Sequence, residues 1–283
     1  MRDRGACFAA RGFGKARPSP SGKRKRSPDK KAPPEDLSAI RILASSKEKF
    51  ARRVAGVSGE IARALACDEV AVIDGVLGLA DCEALRCEAE RVHASFVAEH
   101  ASLDFDQPGI DRTNAELLSP EDLRRAPRTV AMMLALTGLS PRLAAERGAR
   151  LSSDASANML SCYLRGGAFP VHLDNHGGDD RRLIGLIYYM NPGYVVESGG
   201  RFVPWNGDEP SPGIEPRGDR LIAFYCDRQD HSVEEFTPFG DYYRYALTVW
   251  LMDDATEALR PDRRTRSPTD AHRRLRDSLA TTP

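Results

Sequence analysis

The sequence lacks any long hydrophobic run. Nowhere in its 283 residues is there an apolar stretch of the roughly 18 residues that a membrane-spanning helix needs. The longest such stretch, from Val130 to Leu139, suits a helix in a protein core. The N-terminus also has no apolar segment typical of a secretory signal peptide. The sequence therefore predicts neither a transmembrane helix nor a secretion signal.

Net charge is also missing, because 41 basic residues balance 41 acidic ones. The balance hides three unlike parts: residues 1–34 carry about +9, residues 35–254 about −12, and residues 255–283 about +3. An acidic central part repels phosphates, which disfavours DNA or RNA as its substrate. Both terminal parts are rich in proline, serine and charge and cannot bury enough apolar surface to fold.

These properties predict three segments. They are a disordered basic tail over 1–45, a folded domain over 46–254 and a disordered arginine-rich tail over 255–283. A cluster of four basic residues, Lys23-Arg24-Lys25-Arg26, lies in the first tail. It suits a nuclear-import receptor or another polyanion partner. An organelle transit peptide and a solvated tail without function remain open alternatives.

The six cysteines form no CxxC pair and no zinc-ribbon spacing. Reduced thiols are the simplest interpretation in a chain of this length. We therefore expect a cytoplasmic or nuclear protein, and a monomer.

The folded part changes character near residue 155. Before it, apolar residues recur at helical intervals, which predicts helices over Ser46 to Ala66, Asp81 to Phe96, Arg128 to Leu139 and Pro141 to Leu151. A long polar loop is expected over 101–118. After residue 155, short apolar runs alternate with Gly, Pro, Asn and Asp, which predicts an antiparallel sandwich or barrel. The fold class is therefore α+β.

One candidate metal site stands out in the strand-rich half. His172 and Asp174 lie two residues apart and project to the same face of an extended segment. His231 follows a distant apolar strand and could complete a facial triad of two histidines and one carboxylate, as in non-haem Fe(II) oxygenases. Chance alone gives about 0.5 HxD triplets in such a chain, so the pattern needs support from its surroundings.

Arg244 gives part of that support. It lies on a strand of period two and shares a face with Tyr242, Ala246, Thr248 and Trp250. A guanidinium on such a face needs an anionic partner, because a buried unpaired charge is very costly. The partner could be a carboxylate ligand, or an internal one such as Asp219 or Asp227.

The stretch from Met159 to Asp254 resembles the 2-oxoglutarate- and Fe(II)-dependent prolyl 4-hydroxylases. Within them it is most similar to the intracellular oxygen-sensing branch that hydroxylates hypoxia-inducible factors. The matching pieces occur in family order: Cys162-Tyr163, His172-Leu173-Asp174-Asn175, Ile187 to Asn191, Ser198-Gly199-Gly200, Ile214-Glu215-Pro216, Asp219-Arg220-Leu221, Asp227-Arg228, His231 and Arg244 to Trp250.

The resemblance implies a double-stranded β-helix, or jelly roll, over 158–254, supported by helices over 46–157. It implies that His172, Asp174 and His231 bind Fe(II). Arg244 and Tyr189 would bind the distal carboxylate of 2-oxoglutarate, and Tyr163 would lie against the cosubstrate. The pocket would also be lined by Thr248 and Trp250. Core packing is the alternative role for each of the aromatic residues, and above all for Trp250. The runner-up metal is Zn(II), which the absence of a neighbouring cysteine ligand disfavours.

The resemblance further implies the activity. Using O2 and 2-oxoglutarate, with ascorbate as reductant, the enzyme would form 4-hydroxyproline in a protein or peptide substrate. One alternative is an oxygenase that acts on another side chain or on a small molecule. A second is a jelly roll that binds without catalysis. Neither a membrane nor, for the core, a nucleic acid is expected as partner.

Three features depart from the family pattern. The interval from His231 to Arg244 is a few residues longer than usual, and the loop from Asn175 to Arg182 is one residue longer. The loop 101–118 aligns with no known substrate-covering loop, so the sequence leaves peptide specificity open.

Overall fold

The computed structural model describes residues 37–67, 69–100, 112–115, 124–147, 151–177 and 180–254. All belong to one compact unit. Residues 1–36 of the predicted tail 1–45, the predicted tail 255–283 and most of the predicted loop 101–118 lie outside the described residues. Within the described part, no helix is long and apolar enough to cross a membrane.

The described fold includes five α-helices, a 3-10 helix over Val196–Ser198 and ten strands. The helices are α1 Leu37–Gly56, α2 Ser58–Ala66, α3 Leu79–His100, α4 Pro127–Thr137 and α5 Ser140–Arg147. The strands are β1 Ala71–Asp74, β2 Arg112–Ala115, β3 Leu151–Tyr163, β4 Phe169–His172, β5 Arg182–Tyr189, β6 Phe202–Asn206, β7 Glu209–Pro210, β8 Arg220–Tyr225, β9 Asp230–Val233 and β10 Arg244–Asp253.

The first predicted helix is wrong in its start and in its continuity. Residues 37–45, which the sequence assigned to the tail, form the first half of α1. Ala39 is the one buried residue of this part, and Leu43 is only half-buried against the core, whereas Leu37 and Ile40 are exposed, so the stripe of large apolar side chains is weak. A turn at Val57 then separates α1 from α2.

Two antiparallel sheets form the strand-rich half. The larger has the order β1-β8-β5-β10-β3-β2, and the smaller has the order β4-β9-β6-β7. Strand β3 begins at Leu151, which the sequence had placed in a helix, and β2 lies within the predicted loop 101–118. The α+β class is confirmed, with helices on one side of antiparallel sheets.

Strand β10 shows how the two cores divide. Its residues Tyr245, Leu247, Val249 and Leu251 pack with the helices in the larger core. The intervening residues face the space between the sheets, where Ala246 joins a small core with Tyr189, Phe202, Ile222 and Phe224. Because side chains alternate along a strand, one strand supports the helical layer and lines the site at once.

Candidate active site

The three predicted metal ligands come together between the sheets. His172 is the last residue of β4, Asp174 lies in the bend that follows, and His231 lies on β9, which pairs directly with β4. One ligand atom from each lies within 4.8 Å of the others. The carboxylate Oδ1 of Asp174 is 3.5 Å from Nε2 of His172 and 4.0 Å from Nε2 of His231.

Both imidazoles are oriented by backbone carbonyl groups. The Nδ1 atom of His172 lies 2.9 Å from the carbonyl oxygen of Pro170, and Nδ1 of His231 lies 3.1 Å from that of Gln229. A carbonyl oxygen can only accept, so each Nδ1 carries the proton and each Nε2 lone pair points into the site. This arrangement is typical of histidines that bind metals.

The protonation states suit cation binding. Burial, together with the neighbouring His172, lowers the pKa of His231 to about 4, so this imidazole is neutral at neutral pH. Burial alone would raise the pKa of Asp174, but its hydrogen bonds and the two histidines outweigh burial and hold that pKa below its usual range. Its Oδ2 atom accepts a hydrogen bond of 2.8 Å from the indole Nε1 of Trp250.

A buried cationic group marks the other end of the pocket. Arg244 is 3% exposed, and its Nε donates to the carbonyl oxygen of Gly200 over 2.8 Å. Its guanidinium lies 4.7 Å from the ring centre of Tyr163 and 5.1 Å from that of Tyr189.

Neither internal partner considered for Arg244 is bonded to it. Asp219 accepts hydrogen bonds from Leu77, Gly78 and Tyr188, and Asp227 pairs with Arg228. Within the described part of the chain, no carboxylate forms an ion pair with Arg244. The guanidinium fork is therefore available for an anion that enters the pocket.

Tyr189 is fully buried beside this guanidinium, and its hydroxyl group has no hydrogen-bond partner among the described residues. Burial raises its pKa to about 12, although the positive charge of Arg244 opposes the shift. A buried phenol usually has a partner. The orphaned hydroxyl next to Arg244 therefore fits a carboxylate ligand at this end of the pocket.

The pocket joins both ends and has a volume of about 280 Å³. Seven of the eight predicted site residues line it; the eighth, Tyr189, is not a lining residue, but its ring centre lies 5.1 Å from the guanidinium of Arg244. The structure adds lining residues that the sequence did not single out: Met159, Ser161, Phe169, Leu173, His176, Arg182, Ile187, Phe202, Val233 and Ala246.

Two of these additional lining residues could have been found from the alternation of side chains along β3. Met159 and Ser161 alternate with the predicted Tyr163, and the three pair with Thr248, Ala246 and Arg244 across β10. Knowledge of the strand pairing would therefore have identified them. No signal in the sequence indicated that the Gly200 carbonyl group orients Arg244.

The residues present fit Fe(II) and 2-oxoglutarate. Two imidazole nitrogens and one carboxylate oxygen on one face are the donor set of non-haem Fe(II) oxygenases, and they leave coordination positions open. At the far end of the pocket, the guanidinium of Arg244 can form two parallel hydrogen bonds, and the hydroxyl group of Tyr189 has no partner among the described residues. Both groups suit the distal carboxylate of 2-oxoglutarate.

Comparison with known proteins agrees with this geometry. Residues 158–252 match the family described as the 2OG-Fe(II) oxygenase superfamily. Egl nine homolog 1 of Homo sapiens is 39% identical over 100 residues, which are 34% of this chain and 22% of that protein. The hypoxia-inducible factor prolyl hydroxylase of Caenorhabditis elegans is 35% identical over 102 residues, or 35% of this chain and 13% of that protein. The match thus spans less than a third of these relatives.

Solved structures share the fold. A prolyl-4-hydroxylase of Pseudomonas putida aligns with a TM-score of 0.59 at 19% identity, over 70% of this chain and 100% of that one. A prolyl hydroxylase of Trichoplax adhaerens, solved with a peptide fragment of hypoxia inducible factor, aligns with a TM-score of 0.56 at 21% identity, over 78% and 96%. In its sequence over residues 158–252 and in the geometry of its pocket, the strand-rich half of this chain is thus similar to 2OG-Fe(II) oxygenases, among them Egl nine homolog 1 and the hypoxia-inducible factor prolyl hydroxylase of Caenorhabditis elegans.

Proposed function

We propose that this chain is a prolyl hydroxylase that forms 4-hydroxyproline in a protein substrate, with a role in oxygen sensing. The observation that carries the proposal is one pocket that holds a His/Asp/His triad at one end and a buried arginine with a free guanidinium fork at the other. The Egl nine relatives extend this chemistry to prolyl residues.

In this proposal His172, Asp174 and His231 hold Fe(II). When bound, Fe(II) with 2-oxoglutarate and O2 supplies the oxidation that places one oxygen atom in a C–H bond and releases succinate and CO2. The histidines keep their protons on Nδ1 and present Nε2, while the indole of Trp250 orients the carboxylate of Asp174.

The far end of the pocket would bind the cosubstrate. Arg244, fixed by the Gly200 carbonyl group, forms a bidentate salt bridge with the distal carboxylate of 2-oxoglutarate. Tyr189 donates its hydroxyl proton to the same carboxylate, and Tyr163 packs against the cosubstrate beside Arg244. Thr248 lines the same pocket.

The proposal includes the surroundings of the enzyme. Ascorbate would keep the iron reduced, and the protein would act as a monomer in the cytoplasm or nucleus. Among the described residues, Cys67, Cys82, Cys87, Cys162 and Cys226 form no disulfide bond. A polyanion partner is proposed only for the basic segment over 1–45.

Mass spectrometry of a peptide panel tests the activity. Wild-type protein is incubated with Fe(II), 2-oxoglutarate, ascorbate and each peptide, and a proline-dependent gain of one oxygen atom is expected. Peptides in which alanine replaces proline, and the variant His172→Ala, should give no product. Succinate formation without hydroxyproline would overturn the prolyl assignment. If succinate forms when metabolites are added but not when peptides are added, the protein would instead be an oxygenase that acts on small molecules.

A further inference from the structure

Asp219 is an unusual residue outside the pocket. It directly precedes β8, is 3% exposed, and has a backbone φ of 63°. It is the only non-glycine residue with a positive φ among those that the structure describes. A left-handed backbone costs free energy for a residue with a Cβ atom, so the side chain must provide a compensating interaction.

The carboxylate of Asp219 is satisfied by three donors. Its Oδ1 accepts from the backbone N–H of Leu77 over 2.7 Å and from the hydroxyl group of Tyr188 over 2.8 Å. Its Oδ2 accepts from the N–H of Gly78 over 2.7 Å. Leu77 and Gly78 directly precede α3, so the negative charge also lies at the positive end of a helix. Asp219 thereby fastens the start of α3 to the end of β5.

The backbone of Asp219 holds the neighbouring strand residue as well. Its N–H donates to the carbonyl oxygen of Tyr189 over 3.0 Å, and the Cys82 thiol lies 3.8 Å from the same oxygen. Its own carbonyl oxygen accepts from Gly75 over 2.9 Å. The last two residues of β5 are therefore fixed through one side chain and one carbonyl group.

These two residues face opposite ways. Tyr188 packs in the larger core with the helices, whereas Tyr189 packs in the small core between the sheets, beside Arg244. The two side chains are joined by the same short piece of strand backbone, so a displacement of Tyr188 would also displace the backbone that carries the phenol of Tyr189. The hydroxyl group of Tyr189 would move with the backbone, because it has no hydrogen-bond partner among the described residues to hold it in place.

We propose that Asp219 is a positioning residue that acts through Tyr188 and the β5 backbone to place the Tyr189 hydroxyl for the cosubstrate carboxylate. The inference rests on the proposed function, since it assigns 2-oxoglutarate to the Arg244 end of the pocket. It makes the junction of α3 and β5 a determinant of cosubstrate affinity.

The test is a double-mutant cycle on 2-oxoglutarate binding. Tyr188→Phe removes one hydrogen bond to Asp219 and leaves the two backbone donors in place. Calorimetric titration of the Mn(II)-loaded full chain with 2-oxoglutarate should show a Kd raised roughly 3- to 10-fold, since a misplaced donor weakens its bond. In the Tyr189→Phe background the same substitution should change the Kd less than 2-fold, because the hydroxyl group through which it acts is absent.

A matched control separates positioning from stability. Thr129→Val removes a buried hydrogen bond to Glu88 in the helical layer, away from the site, and should lower the melting temperature without changing the Kd. If Tyr188→Phe does not fold, Cys82→Ala replaces it in the double-mutant cycle, because it removes the thiol contact to the Tyr189 carbonyl oxygen.

The outcomes separate the two claims. A folded Tyr188→Phe variant with wild-type Kd, or an effect that persists in the Tyr189→Phe background, overturns the positioning role and leaves the proposed function intact. If the Mn(II)-loaded wild-type protein binds no 2-oxoglutarate, the proposed function itself is overturned, and the inference with it.

Discussion

At the scale of single residues, Trp250 has a more definite place than its sequence position indicated. The resemblance implied only that it lines the pocket, with core packing as the alternative. Its indole N–H donates to Asp174 Oδ2 over 2.8 Å and leaves Oδ1 facing both histidines. Residues that orient metal ligands in this way contribute strongly to metal affinity.

Trp250→Phe should therefore weaken metal binding while the ring packing is largely kept. Without the indole donor, the carboxylate of Asp174 loses its fixed orientation, and the Kd for Mn(II) should rise roughly 10- to 100-fold. Titration of the metal-free protein, followed by electron paramagnetic resonance of free Mn(II), measures the change.

The second tryptophan provides the control. Trp205 also donates its indole N–H, over 2.9 Å, but to the hydroxyl of Ser232, which is not among the three predicted ligands. Trp205→Phe should leave the Kd for Mn(II) within about 3-fold of wild type, the change expected from one ordinary hydrogen bond. Equal losses in both variants would contradict a specific role for Trp250.

At the scale of elements, the turn that leads into β6 fixes Arg244. Gly199 and Gly200 both have a positive φ, of 64° and 68°. A Cβ atom on Gly200 would lie 2.9 Å from the ring of Phe236 and 3.1 Å from Cδ of Arg244. Only glycine lets the Gly200 carbonyl group approach the guanidinium this closely.

Gly200→Ala should consequently impair both stability and cosubstrate binding. The left-handed backbone alone costs about 1–2 kcal/mol with a Cβ atom, and the displaced Arg244 should raise the KM for 2-oxoglutarate roughly 10-fold or more. Thermal unfolding and succinate formation at varied 2-oxoglutarate concentration measure the two effects.

Gly207 offers a control with the same backbone strain and no crowding. Its φ is 63°, and an added Cβ atom would have nothing within 4 Å. Gly207→Ala should lower the melting temperature but leave the KM unchanged. A raised KM in this variant as well would show that general destabilisation, and not Arg244, explains the loss.

At the scale of the whole molecule, local sequence patterns predicted the elements of the strand-rich half better than those of the helical half. The alternation along β10 predicted which face carries Arg244, because a strand has a fixed period of two. The start of α1 was missed, because Ala39 is the one buried residue of 37–45 and the large apolar Leu37 and Ile40 lie exposed, which weakens the apolar stripe.

Contacts between distant segments could not be predicted from the sequence. Asp219 was considered as an ion-pair partner of Arg244, yet it is bonded to Leu77 and Gly78, 142 and 141 positions away. Nothing local to either segment specifies that pairing, since it depends on how the β1–α3 connection packs against β8. The residue types in the sequence indicated the chemistry of the site, but they did not indicate the hydrogen bonds that orient its side chains.

Ligands bound at the two ends of the pocket should each raise the stability of the whole domain, first the metal and then the cosubstrate. A ligand that binds only the folded state at 100 times its Kd adds about 2.7 kcal/mol, which in a domain of this size raises the melting temperature by roughly 5–10 °C. Mn(II) alone should therefore raise the melting temperature, and 2-oxoglutarate should raise it further once Mn(II) is present. Scanning fluorimetry measures both shifts.

Variants at the two ends make this prediction specific. His172→Ala should lose both shifts, because the triad loses a ligand and the cosubstrate loses its metal. Arg244→Met should keep the Mn(II) shift and lose the additional 2-oxoglutarate shift, because the distal carboxylate has no cationic partner. A full 2-oxoglutarate shift in Arg244→Met would contradict binding at this end of the pocket. The cosubstrate would then have to be held by the metal and the tyrosines alone, which a buried, uncompensated carboxylate makes costly.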